Sequence, residues 1–173
     1  MAETAVPKIS IYNSDNTSFQ DTWNAGELDL SRSDSFESNV LVINVWNNRY
    51  GNEDVPDLVG CNITTKNIHG GMTDEQVVTE RWVQCCVEST ASSPTTFSPI
   101  GVDDNGNELV CGIAHQNPSE YDKTNFVIKG TANSGNAGVA TDNYSKISLK
   151  IVPTINGRLG VHNFKTRISG YYI

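Results

Sequence analysis

The clearest hydrophobic run in the chain is Val40-Leu41-Val42-Ile43-Asn44-Val45-Trp46, which is followed by Asn47 and Asn48. A short run that is rich in β-branched residues and ends in turn formers is typical of a buried strand rather than a helix. Similar short runs recur along the whole chain, separated by polar residues and glycine. Together they predict strands at 8–12, 22–30, 40–46, 61–65, 81–87, 97–102, 109–113, 125–131, 146–152 and 162–171.

This pattern amounts to about nine or ten strands at a spacing of roughly 10 to 15 residues, which is typical of an all-β protein. We predict an antiparallel β-sandwich with jelly-roll or immunoglobulin-like connections, and a single-chain barrel is the alternative. One helical turn is predicted at 73–77, where Thr73 and Gln76 have the spacing of a capping box. Residues 8–173 are expected to form one domain, and residues 1–7 an N-terminal arm that orders on a neighbouring molecule.

The four cysteines, Cys61, Cys85, Cys86 and Cys111, lack the paired C-x-x-C spacing of a zinc site. They are predicted to be free thiols that pack as small hydrophobic side chains in a reducing compartment. In the strand at 81–87, alternation places Val83, Cys85 and Val87 on one face, which we expect to be the core face. Because adjacent strand residues point to opposite faces, at most one of Cys85 and Cys86 can join the core.

The charge of the chain limits its partners. Twenty acidic residues against twelve Lys and Arg residues give a formal net charge of −8. This charge repels phosphate backbones and anionic headgroups, so nucleic acid and membrane surfaces are not expected partners. The chain has no apolar stretch of the roughly 18 residues that a membrane span needs. Its first residues also lack the basic and apolar regions of an export signal, so we expect neither membrane insertion nor secretion.

The acidic segment 103–108 contains the strongest short hairpin signal in the chain, Asn105-Gly106. Asp103, Asp104, Asn105 and Asn107 are also candidate calcium ligands, because Ca²⁺ prefers clustered carboxylate and amide oxygens near a glycine turn. The distal Glu of a twelve-residue calcium loop is replaced by an apolar strand residue. The hairpin is therefore the favoured interpretation.

Motifs for catalysis or cofactor binding are not found in the sequence. His69, His115 and His162 have no cysteine or carboxylate at ligand spacing, and Gly70-Gly71 lacks the Lys-Ser/Thr pair of a phosphate-binding loop. The chain also has no G-x-S-x-G segment. We therefore predict a non-enzymatic protein without a cofactor.

Exposed aromatic side chains are the remaining candidates for function, because they bind sugar rings and also anchor protein partners. Trp46 and Trp82 lie in or beside strands and are predicted to be packed. The candidates for contact with a partner or a glycan are Tyr50, Tyr121 and Trp23. Tyr50, in a loop, is a better candidate than Trp46 or Trp82.

Seven segments of the chain occur in a characteristic order: Val45-Trp46-Asn47-Asn48, residues 57–65, Gly70-Gly71, Arg81-Trp82-Val83-Gln84, residues 97–101, residues 128–135 and residues 165–172. In this order the chain resembles a group of small virion proteins of tailed bacteriophages of Firmicutes. The resemblance covers most of the chain from residue 8 onward and rests on structural rather than catalytic motifs. The acidic hairpin at 103–108 and the doubled cysteine at Cys85 depart from that group.

The resemblance implies a non-enzymatic particle component, either a capsid decoration or a tail or fibre accessory, that acts by protein–protein assembly. Its expected partners are other virion proteins, and it is expected to be multicopy or homo-oligomeric. Localisation in a virion assembled in the host cytoplasm agrees with reduced cysteines and the missing export signal. The alternative is a receptor- or carbohydrate-binding module at a tail fibre or cell surface, which would use a host surface glycan.

Overall fold

The structure is a computed structural model, and it describes residues 5–26, 28, 37–93, 95–154, 157 and 160–172. Within these residues the chain forms ten strands, two short α-helices and one 3-10 helix, so the prediction of an all-β protein is confirmed. In chain order the elements are β1 Ile9–Asn13, β2 Leu41–Asn47, β3 Val59–Asn67, α1 Gln76–Thr79, β4 Val83–Val87, β5 Ser98–Pro99, β6 Gly101–Val102, β7 Glu108–Leu109, β8 Cys111–Gly112, α2 Glu120–Thr124, the 3-10 helix Thr141–Asn143, β9 Tyr144–Ile151 and β10 Phe164–Tyr171.

The strands form two main antiparallel sheets and one small hairpin. The larger sheet has the order β1-β2-β9-β4-β5, and the smaller has the order β10-β3-β8. Strands β6 and β7 pair with each other, with Gly101 opposite Leu109. The register of β9 is fixed on both sides, because Leu149 lies opposite Leu41 on β2 and opposite Cys85 on β4.

One cluster of buried side chains receives residues from both main sheets. Val83, Cys85 and Val87 belong to it, as the alternation along β4 predicts, whereas Cys86 is buried on the opposite face of that strand, where its thiol contacts Ser93 O at 3.8 Å. The other members are Ile43, Val45, Leu58, Cys61, Ile63, Val77, Trp82, Ile100, Ile113, Ile128, Ile147, Leu149 and Ile151. Burying these apolar side chains is the main force that holds the sheets together.

The strand predicted at 22–30 is not formed in its described part, residues 22–26 and 28. The chain turns here, because Gly26 has a positive φ of 82° and its N–H donates to Asn24 Oδ1 at 3.0 Å. Trp23, Ala25 and Leu28 instead pack individually against the core cluster. Residues 27, 29 and 30 of this prediction lie outside the described residues.

The predicted helical turn lies three residues too early, and its capping box is wrong. Asp74 has a positive φ of 68°, which interrupts a helix at this point. The hydroxyl of Thr73 donates to Asp74 Oδ2 instead of accepting a hydrogen bond from a helix N–H. Helix α1 begins at Gln76, with Glu75 as an N-cap residue that makes no side-chain capping bond.

The strand predicted at 125–131 is reduced to a single bridge between Ile128 and Leu58. The preceding helix, α2, was not predicted; its N-cap Ser119 accepts a hydrogen bond from the Asp122 N–H. After Ile128 the backbone bonds to groups outside the strands, as in the bonds from Gly130 N–H to Asp57 Oδ1 and from Lys129 N–H to Asp142 O. A regular ladder therefore cannot form there.

Two further predictions concern the N-terminal arm and membrane insertion. Residues 1–4 of the predicted N-terminal arm lie outside the described residues, and residues 5–7 have no regular secondary structure. No helix in the described part of the chain is long and apolar enough to cross a bilayer.

Candidate binding surface

A cluster of aromatic side chains, separate from the core cluster, lies on the face of the larger sheet that points away from the core. Because Trp46 is the neighbour of the core residue Val45 on β2, its side chain points to this outer face. Trp46 lies opposite Tyr144 on β9, and the two rings stack with centroids 4.6 Å apart. Trp46 is nevertheless fully buried, as predicted, and its indole N–H donates to Asn16 Oδ1 at 2.7 Å. Burial also raises the pKa of Tyr144.

Arg49 covers this cluster with its guanidinium group. The guanidinium carbon lies 3.7 Å from the ring centroid of Tyr12, 4.7 Å from that of Tyr50 and 5.2 Å from that of Trp46. A cation over an aromatic face is attracted by the negative charge density of the ring. We call the set Tyr12, Phe19, Trp46, Arg49 and Tyr50 the Arg49 stack.

Hydrogen bonds fix the orientation of the guanidinium. Its Nη2 donates to Asn16 O at 2.8 Å and to the Tyr50 hydroxyl at 3.1 Å, and its Nε donates to Gly135 O at 3.4 Å. The third nitrogen, Nη1, is buried and has no hydrogen-bond acceptor among the described residues. Arg49 is therefore held by three hydrogen bonds, and one of its guanidinium nitrogens has no acceptor in the described part of the chain.

Phe19 joins the stack because the chain reverses after β1. Asn13 Oδ1 accepts hydrogen bonds from the N–H groups of Thr17 and Ser18, and Gln20 N–H then donates to Ile11 O. This turn brings the Phe19 ring to 4.5 Å from the Tyr12 ring. The side chain of Phe19 remains 68% exposed.

Tyr50 reaches the stack through an unusual backbone conformation. Its φ is 59°, in the left-handed region that residues with a side chain seldom adopt. Its ring lies against Gly135, where an added Cβ would approach the ring to 2.2 Å. Tyr50 is still 60% exposed, so the ring is fixed in place and accessible at the same time.

Asparagine side chains, of which those of Asn47, Asn48 and Asn143 are buried and that of Asn133 is half-buried, hold the loops around Tyr50. The amide nitrogen of Asn48 donates to Glu53 O and Gly130 O, both at 2.8 Å, and that of Asn133 donates to Asn48 O at 2.8 Å. Asn47 and Asn143 make similar bonds to backbone carbonyls. These side chains satisfy backbone groups in segments that have no regular partner strand.

The three aromatic residues proposed from the sequence lie in different surroundings. Tyr50 belongs to the Arg49 stack. Tyr121 is 68% exposed on α2. Trp23 is half-buried and packs edge-on against Phe164, with ring centroids 6.0 Å apart, in a groove also lined by Trp82. Among the described residues, Tyr50 is thus the one of these three that shares a cluster with a second exposed ring, that of Phe19.

Residues 103–107 of the acidic segment form the tip of the β6–β7 hairpin, and Glu108 begins β7. Asp103 Oδ1 accepts hydrogen bonds from the N–H groups of Asn105 and Asn107, and its Oδ2 accepts one from the Asn107 side chain. These bonds, led by that of the Asn107 side chain, lower the pKa of Asp103. Asp104 pairs with Arg81 at 2.9 Å. The calcium candidates therefore serve as turn residues here, and no group of three or more His, Cys, Asp or Glu residues in the described ranges is arranged to hold a metal ion.

His115 is buried between two carboxylates that the sequence did not reveal as its neighbours. Its Nε2 lies 3.4 Å from Asp122 Oδ2, and its Nδ1 lies 3.5 Å from Asp142 Oδ1. Burial acts to raise the pKa of Asp122, but the bonds from Lys129, Ser119 and His115 outweigh it and lower this pKa to about 2. The Ser119 hydroxyl donates to Asp122 and not to His115. The side chains around His115 and Asp122 are therefore arranged as a buried ion network and not as a serine nucleophile activated by a histidine.

Sequence reasoning missed Tyr12, Phe19 and Arg49. The available signal was the turn cluster Asn13 to Asn16 between two aromatic residues, which is consistent with a tight reversal that pairs the two rings.

Comparison with protein-family models, with curated proteins and with solved structures found no match.

Proposed function

We propose that this chain is a non-enzymatic structural protein of a bacteriophage particle, as a capsid decoration or a tail or fibre accessory, and that it binds other virion proteins in multiple copies. The sequence resemblance supports the particle assignment. We further propose that the two main sheets are the layers of a β-sandwich with jelly-roll or immunoglobulin-like connections, an architecture that agrees with the core to which both sheets contribute.

The observation that carries the binding proposal is the pair of exposed rings in the Arg49 stack. Phe19 and Tyr50 remain 68% and 60% exposed although Arg49 and Tyr12 fix their positions. Rigid aromatic side chains beside an arginine are the residues that contribute most to protein interfaces, because they lose little conformational entropy on binding.

A test of this proposal measures incorporation into particles. The protein is labelled at the C-terminal residue, produced in a host that assembles the particles, and located on purified particles by immunogold electron microscopy. We expect regular labelling of head or tail with the unchanged chain. Phe19→Ala should reduce the label per particle at least about tenfold, since a central interface residue contributes upwards of 1 to 2 kcal/mol.

Tyr121→Ala is the matched control, because Tyr121 is as exposed as Phe19 but lies on α2, outside the stack. Its labelling should equal that of the unchanged chain. Absence of label from every particle would contradict the particle assignment. Equal labelling with Phe19→Ala would show that the Arg49 stack is not the contact surface.

The second candidate function is carbohydrate binding at a fibre tip or cell surface. It is favoured by the polar side chains next to the exposed rings, among them Asn13 and Asp15 in the turn before Phe19. Aromatic faces bordered by hydrogen-bonding groups suit a sugar ring. Binding of the isolated protein to a glycan array, lost in Phe19→Ala and kept in Tyr121→Ala, would favour this function over protein assembly.

A further inference from the structure

Cys85 and Cys111 extend into the same core from different sheets. Cys85 on β4 lies opposite Leu149, and Cys111 on β8 lies opposite Ile63. Residues directly opposite each other in an antiparallel pair share a face. Since Leu149 and Ile63 are core residues, both thiols are on the core side of their sheets, where Cys111 packs against the cluster that contains Cys85.

The two sheets approach each other closely at this point. Cα atoms of β4 and β8 lie within 8 Å of each other. Immediately after β4, the Ser89 hydroxyl donates to Ala114 O at 2.6 Å, and the Thr90 hydroxyl donates to Gly112 O at 3.2 Å. A disulfide requires Cα atoms no more than about 7 Å apart. These strands are therefore held near the separation that a disulfide needs.

The two thiols interact across the space between these strands. A hydrogen-bonding interaction with Cys85 lowers the pKa of Cys111. The same interaction, together with burial, raises the pKa of Cys85. Cys111 is also the more exposed of the two. The interaction thus favours Cys111 as the first nucleophile, because the thiolate is the reactive form.

We propose that Cys85 and Cys111 are a disulfide-forming pair that links the two main sheets when the protein meets a disulfide oxidant such as glutathione disulfide. The Cys111 thiolate attacks one sulfur of the oxidant, forms a mixed disulfide and releases one glutathione thiolate. Cys85 then loses its proton, attacks the Cys111 sulfur and displaces the second glutathione. The two protein thiols are oxidised and one glutathione disulfide is reduced to two thiols. This inference does not depend on the proposed function.

The other two cysteines are placed differently. Cys86 is adjacent to Cys85 but points to the opposite face of β4, towards Ser93 O. Cys61 is fully buried, and burial raises its pKa to about 12. The structure therefore favours Cys85–Cys111 over pairings that use either of these residues.

The experiment oxidises the reduced, full-length protein with glutathione disulfide in the absence of denaturant, blocks the remaining thiols and digests with a glutamate-specific protease. Cleavage after Glu80, Glu88, Glu108 and Glu120 places Cys85 and Cys86 in one peptide, 81–88, and Cys111 in another, 109–120. Mass spectrometry should find these two peptides joined, and dithiothreitol should separate them. Trypsin cannot give this result, because no Lys or Arg lies between residues 81 and 123.

Cys86→Ser is the matched control, because it removes the neighbouring thiol and leaves the proposed pair intact. It should form the same link, whereas Cys111→Ser should not. In the unchanged chain, the link should lower the equilibrium constant for unfolding in urea on the order of 100-fold, the size expected for a loop of this length. Loss of the link in a folded Cys86→Ser protein, or free Cys85 and Cys111 after oxidation of the unchanged chain, would overturn the proposal.

Discussion

Tyr50 combines a strained backbone with an exposed ring, and the two can be separated experimentally. Its φ of 59° disfavours any residue with a Cβ. Tyr50→Ala and Tyr50→Gly both remove the contacts of the ring, but only glycine relieves the backbone strain. We expect Tyr50→Gly to be more stable than Tyr50→Ala by about 1 kcal/mol in urea unfolding.

Tyr121 provides the control for this comparison, because it has similar exposure but lies within α2. In a helix glycine is less favourable than alanine, so Tyr121→Gly should be less stable than Tyr121→Ala by about 0.5 to 1 kcal/mol. The two positions should therefore give opposite signs. The same sign at both would contradict the left-handed conformation of Tyr50.

Asp122 should make stability depend on pH in the acidic range. Because its pKa in the folded protein is about 2, below the ordinary value of 3.8, the folded state favours the ionised form. The resulting stabilisation is complete above about pH 5 and is lost as the pH falls through 3.8 towards 2. It amounts to about 2 kcal/mol for a shift of this size.

The measurement is the free energy of unfolding between pH 6 and pH 2 for the unchanged chain and for Asp122→Asn. The unchanged chain should lose about 2 kcal/mol more over this range. Asp104→Asn is the control, because the Asp104 carboxylate is mostly exposed and pairs with Arg81 at the surface. It should leave the pH dependence nearly unchanged, and parallel curves for Asp122→Asn and the unchanged chain would contradict the ion network.

At the scale of elements, the loops beside β2 depend on asparagine side chains rather than on strand pairing. Asn143, at the end of the 3-10 helix, donates to Lys129 O at 3.1 Å and to Thr131 O at 2.8 Å, and it is buried. Asn143→Ala removes the side-chain donor of Lys129 O and one of the donors of Thr131 O, which also accepts from Asn133, so we expect a loss of about 2 kcal/mol in the free energy of unfolding. Asn105→Ala, in an exposed turn, should change it by less than about 0.5 kcal/mol.

The strands were predictable where a hydrophobic period is long and unbroken. The run at 40–46 corresponds to β2, in which residues 43–47 are all buried, and the alternation at 146–152 corresponds to β9, in which every second residue is buried. The run at 125–131 misled for a physical reason: Ile128 is buried like a strand residue, but its neighbours bond to the side chains of Asp57 and Asn143. The hydrophobic pattern of a segment indicates which side chains are buried, but it does not indicate which group each backbone N–H or C=O bonds to.

The candidate surface was predictable only in part. Tyr50 was identified because it lies in a polar loop, but Tyr12 and Phe19, two other members of the stack, lie on either side of a turn that precedes β2. Arg49 gave no signal, since its position over the rings depends on how the three segments meet. The interaction between Cys85 and Cys111 likewise requires the pairing of β4 with β9 and of β8 with β3, which single-sequence patterns do not specify.

At the scale of the whole molecule, the order of strands in each sheet should make folding slow. Strand β9 lies between β2 and β4, and β10 pairs with β3, so both sheets need segments that are far apart in sequence. The chain must lose the conformational entropy of closing such long loops before the strand contacts that stabilise the fold can form. We expect refolding in about the millisecond to second range.

Stopped-flow fluorescence can follow this reaction, because Trp46 and Trp82 become buried on folding. Cys86→Ser and the unchanged chain should refold at similar rates under reducing conditions, since Cys86 lies outside the core cluster. Refolding complete within about ten microseconds would be typical of local helical contacts and would contradict the strand order.

The β6–β7 hairpin also offers a place for engineering. Its tip, residues 103–107, is stabilised by bonds among its own members, chiefly those that the Asp103 carboxylate accepts. Gly106, with a φ of 83°, has no neighbouring atom within reach of an added Cβ. Lengthening a surface loop costs only about 0.6 kcal/mol for each doubling. A peptide epitope inserted between Asn105 and Gly106 would therefore be displayed in solvent, which makes the protein a scaffold for presenting foreign sequences.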